Sequence, residues 1–183
     1  MKPVTLLLVA ANVLAYLLEL GAGGQAVCGA YGLVPARFVR SGDLGPVFSS
    51  MFLHANLTHL VGNLVFLAVF GAIAEIELGG TWLTVLYFMS GVSGALLHVA
   101  VDPRASNAMV GCSGCVFGLI ALVAARRPRF LGFALAFGVI EIWHALNGSE
   151  ASVSFGAHLG GLAAGVFFAA IMRLAEKARS FAF

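Results

Sequence analysis

The chain has 183 residues, 61% hydrophobic and 10% charged, with a mean hydropathy of +1.00 and a formal charge of +2. Soluble domains run near half apolar and a quarter charged, so this balance excludes a single soluble globule, and the slight positive charge gives no reason to expect a nucleic-acid partner. The class is a polytopic membrane protein, all-α, with residues 1–183 read as one membrane domain because the spans consume most of the chain.

Six apolar segments follow in order. The first covers residues 4–20; Met1-Lys2-Pro3 leads into it with no small-residue cleavage site after it, so it is expected to stay as a span. A long Gly-rich loop follows, carrying Pro35, Arg37, Arg40, Asp43 and Pro46. Its apolar Phe38, Val47 and Phe48 predict packing against the membrane surface. The second span covers 57–78 and is ended by Gly79-Gly80; the third covers 82–101 and is stopped by Asp102-Pro103. The fourth covers 113–125 and is stopped by Arg126-Arg127-Pro128-Arg129. The fifth covers 130–146, and the sixth covers 153–174 with a short basic tail.

The fourth segment is too short, because a full crossing takes about 20 residues. The polar, small-residue run 102–111 precedes it. If that run dips into the protein, the helix begins below the membrane surface, which irregular backbone tolerates only inside protein or beside a wet cavity. Lys and Arg set the orientation. With the N-terminus inside, Lys2, Arg126, Arg127, Arg129, Arg173, Lys177 and Arg179 are cytoplasmic, against Arg37, Arg40 and Arg104 outside. His59, Ser113 and His158 then share the outer leaflet, each near the start of its span.

The glycine pairs Gly114/Gly118 and Gly161/Gly165 are four apart, the spacing that lets helices approach closely in lipid. Ser113 precedes the first pair, and His158 lies three residues before the second. If the faces pack, the imidazole can take the serine proton and later protonate a leaving amine. Asp43, Asp102 and Glu150 lie in loops and Glu141 has no defined orientation, so the expectation is a dyad. His59 and Asn63 are i and i+4 on the second span and can point at one site. With the Ser113 backbone N–H they are candidate donors to an oxyanion. His54 reads as a loop or interface residue, while His98 and His144 fall near the outer ends of their spans.

His54-Ala55-Asn56-Leu57-Thr58-His59-Leu60-Val61-Gly62-Asn63, Phe70-Gly71, Glu75, Gly111-Cys112-Ser113-Gly114 and Ala157-His158-Leu159-Gly160-Gly161 occur in this order across nearly the whole chain. In this the chain resembles the rhomboid intramembrane serine proteases, in their compact bacterial form. The resemblance implies a six-helix bundle and a Ser113–His158 dyad, with His59, Asn63 and the Ser113 amide stabilising the oxyanion. Gly111, Gly114 and Phe117 would form the substrate-binding and packing surface, with Phe117 on the catalytic imidazole where the family often has Tyr. It further implies cleavage of transmembrane protein substrates in the bilayer, small residues at the cleavage point, no metal and no cofactor. The location would be an inner or plasma membrane, with both termini cytoplasmic and the site open to the outer side. The fifth span and residues 146–156 would serve as gate and cap. The family's Trp-Arg pair in the first loop is absent; Arg37 and Arg40 stand there without Trp.

Rival chemistries are weaker. Cys112 and Cys115 form a CxxC at a helix start, the arrangement of a membrane thiol–disulfide oxidoreductase, but only Cys28 remains to relay electrons. His54 and His59 are five apart, not the i, i+4 of HExxH. No facing pair of acids suits an aspartyl mechanism, and no internal repeat supports a channel or transporter. A non-catalytic rhomboid-like binding protein would have lost Ser113 or His158, and both are present.

Overall fold

The computed structural model describes residues 2–146 and 155–180. Its regular elements there are helical: α1 Pro3–Gly21, α2 Gln25–Tyr31, α3 Pro35–Ser41, α4 Gly45–Ser49, α5 Leu57–Phe66, α6 Ala72–Leu78, α7 Gly80–Val101, α8 Ser113–Arg126, α9 Leu131–Leu146 and α10 Phe155–Ser180. A π-helical turn, Leu67–Gly71, joins α5 to α6, and a 3-10 turn, Pro128–Phe130, leads into α9. Among the described residues, four helices are long and apolar enough to cross a membrane: Pro3–Gly21, Leu57–Leu78, Gly80–Val101 and Phe155–Ser180. α8 and α9 are shorter, at 14 and 16 residues.

The surface pattern is that of a lipid-facing bundle. In α1 the buried positions are Thr5, Leu8, Asn12, Tyr16 and Glu19, a single stripe at helical spacing that is mostly polar. Its outer face exposes Leu6, Leu7, Leu14, Leu17 and Leu18. A helix with polar groups inside and leucines outside is stable where the solvent is hydrocarbon, since the inner groups find partners and the outer ones need none. Asn12 donates to Leu8 O and the Tyr87 hydroxyl at 2.8 and 3.3 Å. Glu75 accepts from the Val4 and Thr5 amides and the Thr5 hydroxyl, pinning the start of α1 to α6.

α8 is the central element, and every residue from 114 to 124 is buried. Its neighbours are α7, α9, α10 and the α5–α6 span. The paired glycines make this possible. A Cβ on Gly161 would collide with Gly114 O, and one on Gly165 with Gly118 O. The backbones of α8 and α10 therefore touch in a way that only glycine permits.

The structure adds detail in three places. The second span is not a continuous α-helix but carries the π turn, with Gly71 packed against Thr5. The tail after residue 174 is not a loose end; it continues α10 to Ser180. The first loop is folded into α2, α3 and α4, and Arg37 anchors it by donating to the carbonyls of Gly29, Ala30 and Gly32 at 3.0, 3.0 and 2.8 Å. That guanidinium caps the end of α2.

The run 102–112 is held by protein groups along its length. Leu33 and Met109 pair as an antiparallel bridge, the Ala36 amide donates to Ala105 O, and the Gly111 amide donates to Ser50 O. Its irregular backbone is thereby hydrogen-bonded within the protein at several points. It delivers Ser113 to the first position of α8.

Candidate active site

Ser113 opens α8 directly after Cys112, so its amide has no carbonyl one turn back to bond within the helix. His158 lies in the first turn of α10 and is buried. The glycine-lined contact between the two helices sets their separation: His158 Nε2 and Ser113 Oγ are 2.8 Å apart. The hydroxyl donates when the imidazole carries its proton on Nδ1, leaving Nε2 as a base. Phe117, one turn beyond Ser113, stacks on the His158 ring at 4.2 Å between centroids and 11° between planes. That near-parallel contact fixes the plane in which Nε2 meets the hydroxyl.

The opposite group comes from α5. Asn56 caps this helix, its side-chain oxygen accepting from the His59 amide at 2.8 Å. His59 and Asn63 then fall on one face and line the same cavity as Ser113 and His158. Asn63 is only 8% exposed, and among the described residues its Nδ2 has no hydrogen-bond acceptor. A buried amide donor without a partner is costly, and this one borders the cavity that holds Ser113.

Gly111 is the hinge of the arrangement. Its φ of +116° is a conformation that side chains rarely adopt, and a Cβ there would lie 2.7–2.8 Å from the His59 ring and 3.3 Å from Asn63 Nδ2. A side chain at 111 would push those two groups away from Ser113. The cavity has a volume of about 490 Å3 and is large enough for a ligand side chain.

His59, Asn63, Gly111, Ser113, Phe117 and His158 all border this cavity. Gly114 does not; it packs against Ala157 and Gly161 of α10. The side chains of Glu141 and His144 and most of the 146–156 cap, Glu150 included, lie outside the described residues.

Several residues near the site are not evident from the sequence. His54 sits in the turn before α5, as a loop residue, but it is wholly buried instead of lying at an interface. Its Nδ1–H donates to Phe52 O at 3.2 Å, which leaves Nε2 to accept from the Cys112 thiol at 3.9 Å. Burial, and secondarily the charge of nearby His59, pushes its pKa down to about 4, so it is neutral at ordinary pH. Glu19, also buried, accepts from the His54 amide at 3.1 Å and from the Cys28 thiol at 2.8 Å. Burial and that carboxylate raise the Cys28 thiol to about 12. The apolar walls Phe66 and Phe137 were equally hidden, because ring packing across helices leaves no local sequence signal.

Cys112 and Cys115 are 0% and 1% exposed. Thiol exchange requires access to a partner disulfide, so their burial supports a packing role.

The Rhomboid domain family matches residues 41–175. The chain is 28% identical over 150 residues to RHOMBOID-like protein 5 of Arabidopsis thaliana, covering 78% of this chain and 48% of that one. It is 45% identical over 75 residues to the chloroplastic Rhomboid-like protein 11 of the same plant, covering 40% and 26% respectively. With Rhomboid-like protease 3 of Toxoplasma gondii it shares 33% identity over 135 residues, covering 68% and 50%. The chain thus spans half or less of these relatives' own lengths. The family match takes in every residue bordering the cavity, together with five of the six apolar segments, and on that footing the chain belongs to the rhomboid family of membrane proteins.

Proposed function

We propose that this chain is an intramembrane serine protease that cleaves transmembrane protein substrates through a Ser113–His158 dyad. The observation that carries the reading is the 2.8 Å approach of His158 Nε2 to Ser113 Oγ in a cavity that the buried Asn63 amide also borders. His158 takes the hydroxyl proton as Oγ attacks a peptide carbonyl, and the negative charge falls on the carbonyl oxygen. Asn63 Nδ2, His59 and the Ser113 N–H stabilise that oxygen. The intermediate collapses to an acyl ester on Ser113, and the amine leaves with the proton from His158. Water, deprotonated by His158, then hydrolyses the ester. No metal or cofactor enters these steps.

Six crossings, cytoplasmic termini and a cavity opening to the outer side complete the proposal. The Lys and Arg distribution supports this orientation, with seven cations on the inner segments against three on the outer loops.

The test is cleavage of a reporter transmembrane substrate in liposomes, with fluorophosphonate labelling of the purified protein. Ser113→Ala and His158→Ala are expected to abolish both. Asn63→Ala is expected to lower kcat about 10²- to 10³-fold, the usual effect of losing one oxyanion donor. Cleavage that persists in Ser113→Ala removes the mechanism. A folded wild-type protein that binds such substrates without cutting them makes it a non-catalytic binder. Cleavage or labelling that fails only when Cys112 and Cys115 are both replaced by Ala shifts the case to thiol chemistry.

A further inference from the structure

Cys112 stands between Gly111 and Ser113 and is wholly buried. It does not border the cavity, yet its backbone carries groups that the proposed chemistry uses. The Gly111 amide donates to Ser50 O at 2.8 Å, and Cys112 O accepts from the Val116 amide at 3.0 Å. The peptide that holds Cys112 O also holds the Ser113 N–H, and a planar trans peptide points the two in opposite directions. Whatever fixes Cys112 therefore fixes where the Ser113 amide aims.

The Cys112 side chain meets a histidine that is just as deeply buried. His54 donates Nδ1–H to Phe52 O at 3.2 Å, which leaves Nε2 to accept from the Cys112 thiol at 3.9 Å. The rings of His54 and His59 meet edge to face, with centroids 5.3 Å apart and planes at 69°. Gly111 closes the group, since a Cβ on it would lie 2.7–2.8 Å from the His59 ring. One buried imidazole thus touches both the ring of His59 and the residue that aims the Ser113 amide. Cys115 differs: its sulfur packs against α7, 2.7 Å from where a Cβ on Gly91 would lie. A thiol that only fills apolar space needs no imidazole beside it.

We propose that His54 and Cys112 are paired positioning residues: the imidazole holds the thiol through an S–H···Nε2 bond and so keeps the Ser113 amide and the His59 ring at one spacing for the oxyanion. This inference rests on the Ser113–His158 reading. Neither residue touches substrate. The pair acts on charge that develops in the transition state, so its loss falls on kcat and spares KM.

The experiment measures kcat and KM for a reporter transmembrane substrate in liposomes. It compares wild type, Cys112→Ser, Cys112→Val, His54→Phe and the double variant Cys112→Val/His54→Phe, with fluorophosphonate labelling carried to completion to count folded sites. Cys112→Val keeps bulk and removes the donor, whereas Cys112→Ser keeps a donor and loses bulk. Cys112→Val and His54→Phe are each expected to lower kcat about tenfold, with KM within about twofold of wild type. Cys112→Ser is expected to retain more of kcat than Cys112→Val. The double variant is expected to match the slower single one within about twofold, because the same bond is lost in all three. The S–H infrared band that disappears in Cys112→Val is expected to move to higher frequency in His54→Phe. Should His54→Phe fail to label, the order of Cys112→Ser and Cys112→Val still decides. The inference is overturned by Cys112→Val at least as fast as Cys112→Ser, by losses that appear in KM or multiply in the double variant, or by an S–H band that ignores His54; each of these leaves the dyad standing. Absence of Ser113-dependent cleavage and labelling in wild type overturns the dyad reading and this inference with it.

Discussion

At the scale of single residues, the site depends on groups placed under constraint. Asn63 holds a buried donor without a partner among the described residues, Gly111 adopts a conformation few residues can follow, and His54 is fixed by bonds at its amide and both ring nitrogens. Because His54 is neutral in the fold, its proton balance has a defined sign. Its folded pKa of about 4 lies below the unfolded value of ~6.5, so the unfolded chain binds the proton more readily. The stability it contributes is complete above ~6.5, declines as pH falls toward 4, and changes no further below that. Thermal unfolding of detergent-solubilised protein is expected to show a midpoint that drops between pH 6.5 and 4. In His54→Gln that drop is expected to be shallower, and curves of equal slope would show that His54 does not titrate with folding.

Among elements, the contact between α8 and α10 matters most, because it carries Ser113 on one helix and His158 on the other. Without a hydrophobic driving force between helices in lipid, close backbone packing has to hold them. Gly161 and Gly165 leave no room for a methyl against the α8 carbonyls. Gly161→Ala and Gly165→Ala are each expected to cost about 1–3 kcal/mol through overpacking and to lose activity with it. Gly132→Ala, with nothing near its Cβ, is expected to be neutral or slightly stabilising. Unfolding midpoints of the three variants check this, and three equal midpoints would mean the helices relax around the added methyl. The α9 side is held differently, by rings: Phe66 and Phe70 meet Phe133, and Phe66 and Phe117 meet Phe137. Ring contacts can part and re-form without loss of hydrogen bonds, which suits the gate that the family resemblance implies for this helix.

For the whole molecule, charges close the end of the bundle opposite the site. Glu77, at the end of α6, accepts from Arg126 and Arg127 at 3.3 and 2.6 Å, and Arg126 donates to Glu176 of α10 at 2.9 Å. Arg173 donates to Ala125 O. The second, fourth and sixth apolar segments are tied together there. Glu77 is 19% exposed and Glu176 52%, so the two should differ in weight. Glu77→Gln is expected to destabilise the bundle by about 1–3 kcal/mol by leaving two arginines without their shared carboxylate. Glu176→Ala is expected to cost less than about 1 kcal/mol, as exposed ion pairs do. Unfolding in mixed detergent compares the two, and equal losses would refute the ranking.

The residues by themselves determined the class and the apolar segments, and they singled out His59, Asn63, Gly111, Ser113, Phe117 and His158, which the fold brings to one cavity. Hydropathy and helical period act locally, and a serine and histidine each set beside glycine pairs leave a mark in the linear order. They did not determine the π turn in the second span, the burial of His54 against Cys112 or the Glu19–Cys28 bond. Each of these depends on what a distant segment brings alongside. A bond between residues 54 and 112, or a volume left empty among α5, α8 and α9, exists only once the helices have packed.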